Sequence, residues 1–542
     1  MKKASALLIS CALIFGTALA GCSKDSANSP SQTEAAKDTK AKILQYNNLK
    51  EPTSLDPPKG FDQVSYDVLN NAFEGLTRLG KNQQPEPAMA KEWKVSPDGK
   101  KYTFTLRDGI KWTNGDPVKA GDFEYAWKRL LDPKTASDAA FLAFPIEGAE
   151  AFNSGKGTAD GVKVKALDDK TLEVTLAQPS AWLIGMVSSP AFFPLNKASV
   201  EANPKWAGEA ATIVSNGPFK ITEWKHDAEL KMVKNDQYWD AANVKLAGVN
   251  FKMINDTNTA YQLFTTGELD TTSSIPADMS DKLFAENKVK VEDAAGTAFY
   301  RFNVKMAPFN NVNIRKAFVE AVDRQKLVDL VLKQKHKPAD AYVSPGLKDP
   351  AGGDFRTVGG SLIKFDAADA KKLLEKGMQE AGYKTLPEVT LTYNTNDVSQ
   401  KIAQALQAML KDNLGVDVKL ANKEGKVLTA EQKGLQLQLS RSSFLPDFAD
   451  PINFLDGYQS TNPFSRTGWV NPQYDKLIKD AYNEPDDAKR FKMMHDAEKI
   501  LMDEAPILPL YYYNSAYLQS DKVEGVVRHG FGFIDFKWAS FK

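Results

Sequence analysis

Apolar residues recur along this chain with two different periods, and the two alternate from one end of the body to the other. Between Lys101 and Arg107 every second residue is apolar: Tyr102, Phe104 and Leu106 point one way, Thr103, Thr105 and Arg107 the other. That period predicts a half-buried strand, and Leu172, Val174 and Leu176 repeat it. Helical spacing is present at Ile314, Phe318, Ala321, Val322, Leu327, Val328 and Val331. A second helical stripe runs through Ile402, Leu406, Met409, Leu410 and Leu414, stops at Gly415, and precedes the alternating strand Val416, Val418, Leu420. A late helix is expected over 486–504, with Phe491, Met494, Ile500 and Leu501 inward and Pro506 beyond its end. The stripes read as core, and the mixture of periods predicts an α/β protein with two or more lobes.

The first residues depart from this pattern. Lys2 and Lys3 precede an almost unbroken apolar and small-residue stretch from Ala4 to Ala20, too short for a membrane span and flanked as a secretory signal is. It ends in Leu19-Ala20-Gly21-Cys22, which resembles the bacterial lipobox. Cleavage before Cys22 and alkylation of its thiol by a diacylglycerol are the expectation, with 1–21 as signal peptide. From Ser23 to about Lys42 the chain is mostly Ser, Ala, Asn, Asp, Thr and Lys, with one Pro and no aromatic residue, so 22–42 is expected to be a flexible tether on the outer face of the cell membrane. Such a tether has a root-mean-square reach of about 25 Å.

Composition narrows the function by exclusion. The two cysteines are Cys11, inside the expected signal, and Cys22, so the mature chain has no thiol left for a disulfide, a metal or catalysis. The chain's 69 basic and 69 acidic residues balance, and loss of Lys2 and Lys3 leaves it near neutral, which argues against nucleic acid as a partner. His226, His336, His495 and His529 are isolated and show no metal-ligand spacing. Ser154-Gly155-Lys156-Gly157 lacks the glycine and the Ser or Thr that a phosphate loop needs, because Glu150 and Gly157 stand there. No nucleophile-elbow or zinc-protease motif occurs. No enzyme, cofactor or metal is expected.

A resemblance then covers essentially the whole mature chain. Its pieces are Glu51-Pro52-Thr53-Ser54-Leu55-Asp56-Pro57, Phe73-Glu74-Gly75-Leu76-Thr77, and Pro87-Ala88-Met89-Ala90 through Asp98-Gly99-Lys100. They continue as Leu106-Arg107-Asp108-Gly109-Ile110-Lys111-Trp112-Thr113-Asn114-Gly115-Asp116-Pro117 and Ser215-Asn216-Gly217-Pro218-Phe219. Asn313-Ile314-Arg315-Lys316-Ala317-Phe318 and Pro509-Leu510-Tyr511-Tyr512-Tyr513 complete them. In order, they resemble the family 5 extracellular solute-binding proteins of oligopeptide and dipeptide ABC importers, with greatest similarity to the Gram-positive dipeptide or murein-peptide receptors. The resemblance implies a three-lobed type II periplasmic-binding fold. Lobe I is expected from 43–78, 206–300 and 513–542, lobe II from 79–205, and lobe III from 301–512. A short peptide is implied between lobes I and III, which close about a hinge of crossing strands; permease and ATPase subunits are the implied partners of a monomeric receptor.

Ser443-Phe444-Leu445-Pro446-Asp447-Phe448-Ala449-Asp450-Pro451 is the most pointed segment. Asp450, followed by Pro451 and an apolar stretch, reads as a helix N-cap with proline at the first helical position. Asp447 has no such local task. The residues alone leave it as an exposed turn aspartate or as a carboxylate, walled by Phe444 and Phe448, that needs a cation. The resemblance implies the second: its matching aspartate binds the α-ammonium of the peptide. Where the oligopeptide receptors carry Trp and Tyr, Phe444 and Phe448 stand here, and one hydroxyl donor is lost.

By the same resemblance Leu445 belongs to this wall, Phe61, Asp62, Gln63, Ser273 and Ser274 lie where the peptide backbone is met, Phe141 replaces a tyrosine, and Tyr513 lines the cleft. Arg441 either meets a ligand carboxylate or is paired internally. Arg301 stands where the oligopeptide receptors have Glu, and this change of sign is expected to favour carboxylate-rich ligands such as cell-wall peptides. Rival readings are a receptor of the same fold for nickel, haem, an oligosaccharide or a pheromone, a surface-anchored hydrolase, and an adhesin.

Overall fold

The computed structural model describes residues 42–462 and 464–542. The expected signal peptide, Cys22 and the tether up to residue 41 lie outside the described residues.

Three sheets organise the chain. The first has the order Ile43–Asn47, Gly248–Lys252, Glu229–Lys234, Phe219–Lys225, and its first two strands are parallel, with Leu44 opposite Val249. A parallel pair cannot be joined by a hairpin. The long crossover here contains a complete second sheet, ordered Ala90–Val95, Lys101–Leu106, Thr171–Thr175, Val164–Ala166 and antiparallel throughout. Tyr102, Phe104 and Leu106 are buried, as the alternation predicts, beneath Phe123, Trp127 and Leu130 of the helix Ala120–Leu131.

The third sheet has six strands, in the order Lys337–Pro338, Ile507–Tyr517, Lys290–Phe302, Leu439–Phe444, Val389–Asn394, Val418–Lys423. Its last two strands are parallel and joined by the helix Asp397–Leu414, which buries Ile402, Leu406, Leu410 and Leu414. Gly415 ends that helix at φ 72°, where a side chain is disfavoured. The long strands Lys290–Phe302 and Ile507–Tyr517 pair antiparallel across the expected boundaries at 300 and 512. Their register breaks between Asp293 and Thr297, where Gly296 takes φ 144°. An alanine Cβ there would lie 2.9 Å from the Phe444 carbonyl oxygen and 3.0 Å from Tyr513 Cδ2.

Two predicted elements need correction. The stripe from Ile314 to Val331 is not one helix: Val312–Glu320 ends, Asp323 caps a new turn by accepting from Lys326 N–H at 3.0 Å, and Leu327–Leu332 is wound as a wider π turn. Apolar spacing survives such a break because both pieces cover the same core, while the aspartate offers the backbone a competing hydrogen bond. The strand expected from Val416 starts at Val418. The late helix is Asp487–Glu504 with Asp486 as its cap, and it ends at Ala505, φ 47°, just before Pro506.

Candidate functional site

The segment singled out in the sequence leaves the strand Leu439–Phe444 and turns into the short helix Ile452–Leu455. Its two aspartates have opposite surroundings. Asp450 Oδ1 accepts the Ile452 N–H at 2.9 Å, but Asp450 stands one residue before the cap: Pro451 takes the cap position expected of Asp450, rather than the first helical one. What the sequence did not show is Arg490, from the helix Asp487–Glu504, whose Nη1 and Nη2 donate to both Asp450 oxygens at 3.0 and 2.8 Å. Both partners are buried.

Asp447 has no such partner. Its backbone N–H donates to Asn453 Oδ1 at 2.6 Å, which fixes the loop to the short helix. Among the described residues no Lys, Arg or His lies within ion-pair distance of its carboxylate. Burial pushes its carboxyl up to about 6, against a smaller opposite pull from Asn453.

The Asp447 carboxylate opens onto a cavity of about 780 Å³ whose lining includes Phe61, Phe141, Arg301, Phe444, Leu445 and Phe448. Phe448 stacks on Trp182 with centroids 5.8 Å apart, Phe444 packs on Phe454 at 5.0 Å, and Phe61 meets Phe141 edge to face at 6.0 Å. Leu445 and Phe141 are exposed at the rim. Phe141, Leu142, Phe144, Pro145, Trp182 and Met186, all in the expected lobe II, form part of this wall beside the residues of expected lobes I and III. The Trp182–Phe448 stack closes that side, and no local periodicity marks it.

Arg301 lines this cavity, as expected of a wall residue, but part of its guanidinium is engaged by the protein. It is 6% exposed, and two of its three nitrogens donate to the protein: Nε to Ser442 Oγ at 3.1 Å, and Nη1 to the carbonyls of Phe464 and Ser465 at 2.9 and 2.8 Å. Its guanidinium lies over the Phe299 and Tyr458 rings.

The remaining expected site residues do not line this cavity. Asp62 caps the helix Gln63–Ala72, accepting from Ser65 N–H at 3.1 Å and from the Thr53 hydroxyl. Gln63 donates to Asp67 at 2.8 Å and to the Gly532 carbonyl. Ser273 Oγ donates to the Asn47 carbonyl at 3.0 Å, and the Ser274 carbonyl accepts from Thr272 Oγ1 at 2.8 Å. Strand alternation puts Arg441 opposite Tyr300, on the other face from Arg301 and Ser442; its Nη1 donates to Asn394 Oδ1 at 3.2 Å. Tyr513 packs edge-on against Tyr511 at 5.5 Å, near the Arg441 charge.

Sequence reasoning missed Asp456, Tyr482 and Trp182. Asp456 lines the cavity and accepts from the Tyr482 hydroxyl at 2.7 Å. Burial pushes its carboxyl up to about 7, Tyr482 pulls it down, and the charges of Asp447 and Asp450 raise it further. Among the described residues no group of three or more His, Cys, Asp and Glu side chains is placed to hold a metal ion, and no helix is long and apolar enough to cross a membrane.

Three kinds of likeness to known proteins agree with this architecture. Residues 84–466 match the model of bacterial extracellular solute-binding proteins, family 5 Middle. The chain is 55% identical over 529 residues to the dipeptide-binding protein DppE of Bacillus subtilis (strain 168), covering 97% of each chain. Among solved structures, the periplasmic murein tripeptide binding protein MppA in its unliganded open form matches with TM-score 0.80 and 33% identity, over 93% of this chain and 98% of that one. Listeria monocytogenes OppA bound to peptide matches with TM-score 0.73 and 34% identity, over 93% and 99%. The fold is therefore α/β of the type II periplasmic-binding class, and the chain belongs to the family 5 bacterial extracellular solute-binding proteins.

Proposed function

We propose that this protein is the extracytoplasmic receptor of an ABC importer and that it captures short peptides by their free amine. The observation that carries this reading is Asp447, a raised carboxylate without a protein cation, opening onto an aromatic-walled cavity of about 780 Å³. A buried, unpaired charge is costly, and an ammonium from the ligand removes that cost. The relatives named for dipeptide, murein tripeptide and peptide binding support the same class of ligand.

Capture proceeds by closure. At nearly equal identity the protein is more like an unliganded open structure than a peptide-bound one, which supports an open cleft here. In that state Asp62, Gln63, Ser273, Ser274, Arg441 and Tyr513 stand outside the Asp447 cavity. Movement about the paired strands Lys290–Phe302 and Ile507–Tyr517, through the break at Gly296, is the hinge that brings them toward the peptide. Backbone pairing then gives affinity with little demand on side chains. The closed monomer is the form that the permease reads, and lipidated Cys22 holds it at the membrane.

Native mass spectrometry of protein purified from cells tests this reading. The expected result is a population heavier by the mass of short peptides, released intact after denaturation. A ligand without an amine, or cleaved peptide, would contradict it.

A further inference from the structure

A second carboxylate in the Asp447 cavity has no employment in the capture of a single amine. We propose that Asp456, with the rings of Trp182, Phe448 and Tyr482, forms a subsite for a positively charged side chain on the first residue of the bound peptide. This rests on the peptide-receptor reading and names its preferred substrate class.

Asp456 Oδ2 is held by the Tyr482 hydroxyl at 2.7 Å, and no lysine, arginine or histidine among the described residues is within ion-pair distance of either oxygen. The Tyr482 ring meets Trp182 edge-on at 5.2 Å, and Trp182 stacks on Phe448 at 5.8 Å. An ionisable oxygen held by one tyrosine, with two further aromatic rings lining the same cavity, is the chemistry that receives an ammonium or guanidinium, because ring faces attract cations and exclude water. The charge lining the same space points the same way. Asp447, Asp456 and Glu150 face it against a single cation, Arg301, whose Nε and Nη1 are bound to protein oxygens.

The place of Asp447 and Asp456 in the lining of one cavity suits one ligand residue bridging both carboxylates. Asp447 and Asp456 flank the helix Ile452–Leu455, and Asp456 feels the Asp447 charge. The α-ammonium would sit on Asp447 and the side-chain cation on Asp456. This reverses the preference for acidic ligands expected from Arg301 in the sequence.

The test is calorimetric affinity of ligand-stripped, refolded full-length mature protein for X-Ala, X-Ala-Ala and X-Ala-Ala-Ala, with X lysine or its uncharged counterpart norleucine. The expected result is at least tenfold tighter binding of the lysyl peptide at the length that binds best, and a ratio near one in Asp456→Asn. Equal affinities in the wild-type protein, a measurement that needs no variant, would overturn the subsite while leaving the receptor reading intact. A full ratio retained by a folded Asp456→Asn would overturn it too. Binding of neither series at any length would instead overturn the receptor reading and the subsite with it.

Discussion

Arg490 and Asp450 form a bidentate, buried ion pair, with N–O distances of 3.0 and 2.8 Å, directly behind the loop that carries Asp447. The pair explains why two aspartates three residues apart differ so much. Asp450 has a cation from a helix 40 positions on; Asp447 has none among the described residues.

Breaking that pair tests its structural role. Asp450→Ala leaves both Nη groups of the buried Arg490 without a carboxylate, and only Nε keeps Asp487 at 3.2 Å, so equilibrium denaturation should show a loss of about 3–5 kcal/mol. The double variant Asp450→Ala, Arg490→Met should recover part of the loss. A single variant as stable as the wild type would show that the pair does not hold the loop.

The cavity carboxyls predict a pH dependence with a defined sign. Asp447 faces the Asn453 amide and feels no cation, Asp456 faces the Tyr482 hydroxyl and the charges of Asp447 and Asp450, and Arg301 and Glu150 line the same cavity. Burial raises the two aspartates to about 6 and about 7 in the empty cavity. A bound ammonium favours the ionised form, so binding releases protons and affinity falls as pH drops from about 7 to 5. Titration calorimetry at pH 6, where a peptide amine is fully charged, in two buffers of different ionisation enthalpy should report that release. In the ligand-free protein the folded state holds these protons more tightly than the unfolded chain. Their contribution therefore favours the fold below about pH 4 and is lost as pH rises through 6 to 7.

Gly296 predicts where the proposed hinge is sensitive. Its φ of 144° and the 2.9 Å approach a Cβ would make to the Phe444 carbonyl oxygen leave no room for alanine. Gly296→Ala should cost about 1–3 kcal/mol of stability. It should also weaken peptide affinity, because the strain falls between the two long strands and the wall of the cavity. Unchanged affinity in a destabilised variant would separate the hinge from the site.

Cys22 predicts location. Replacing it with alanine should move the protein from the membrane fraction to the soluble extracytoplasmic fraction and abolish labelling by a fatty-acid analogue. Membrane retention of Cys22→Ala would contradict lipid anchoring.

Local structure was legible where a single period governs a segment. Tyr102, Phe104 and Leu106 alternate and are buried; Ile402, Leu406 and Leu410 recur at helical spacing and are buried. Asp447 stood out because it lacks a local task beside Phe444 and Phe448. Arg490, Trp182 and Tyr482 were illegible, because each reaches the site from an element distant in sequence and carries no spacing relative to Asp447. Asp456 was hidden for another reason: it follows the short helix in a turn where an aspartate reads as solvent-facing. The chemistry of Arg301 was visible as a charge, but the carbonyls of Phe464 and Ser465 that engage it come from the folding of a loop with no periodic pattern.

The amine anchor is most directly tested by the affinity of ligand-stripped protein for one peptide in its free and N-acetylated forms, measured in the wild type and in Asp447→Asn. Removing one partner of a buried charge pair costs at least about 2 kcal/mol, roughly 30-fold. The wild type should therefore bind the free peptide at least about 30-fold more tightly than the acetylated one, and Asp447→Asn should bind both about equally weakly. Equal affinities in the wild type, or full discrimination retained by Asp447→Asn, would contradict capture of the amine by Asp447.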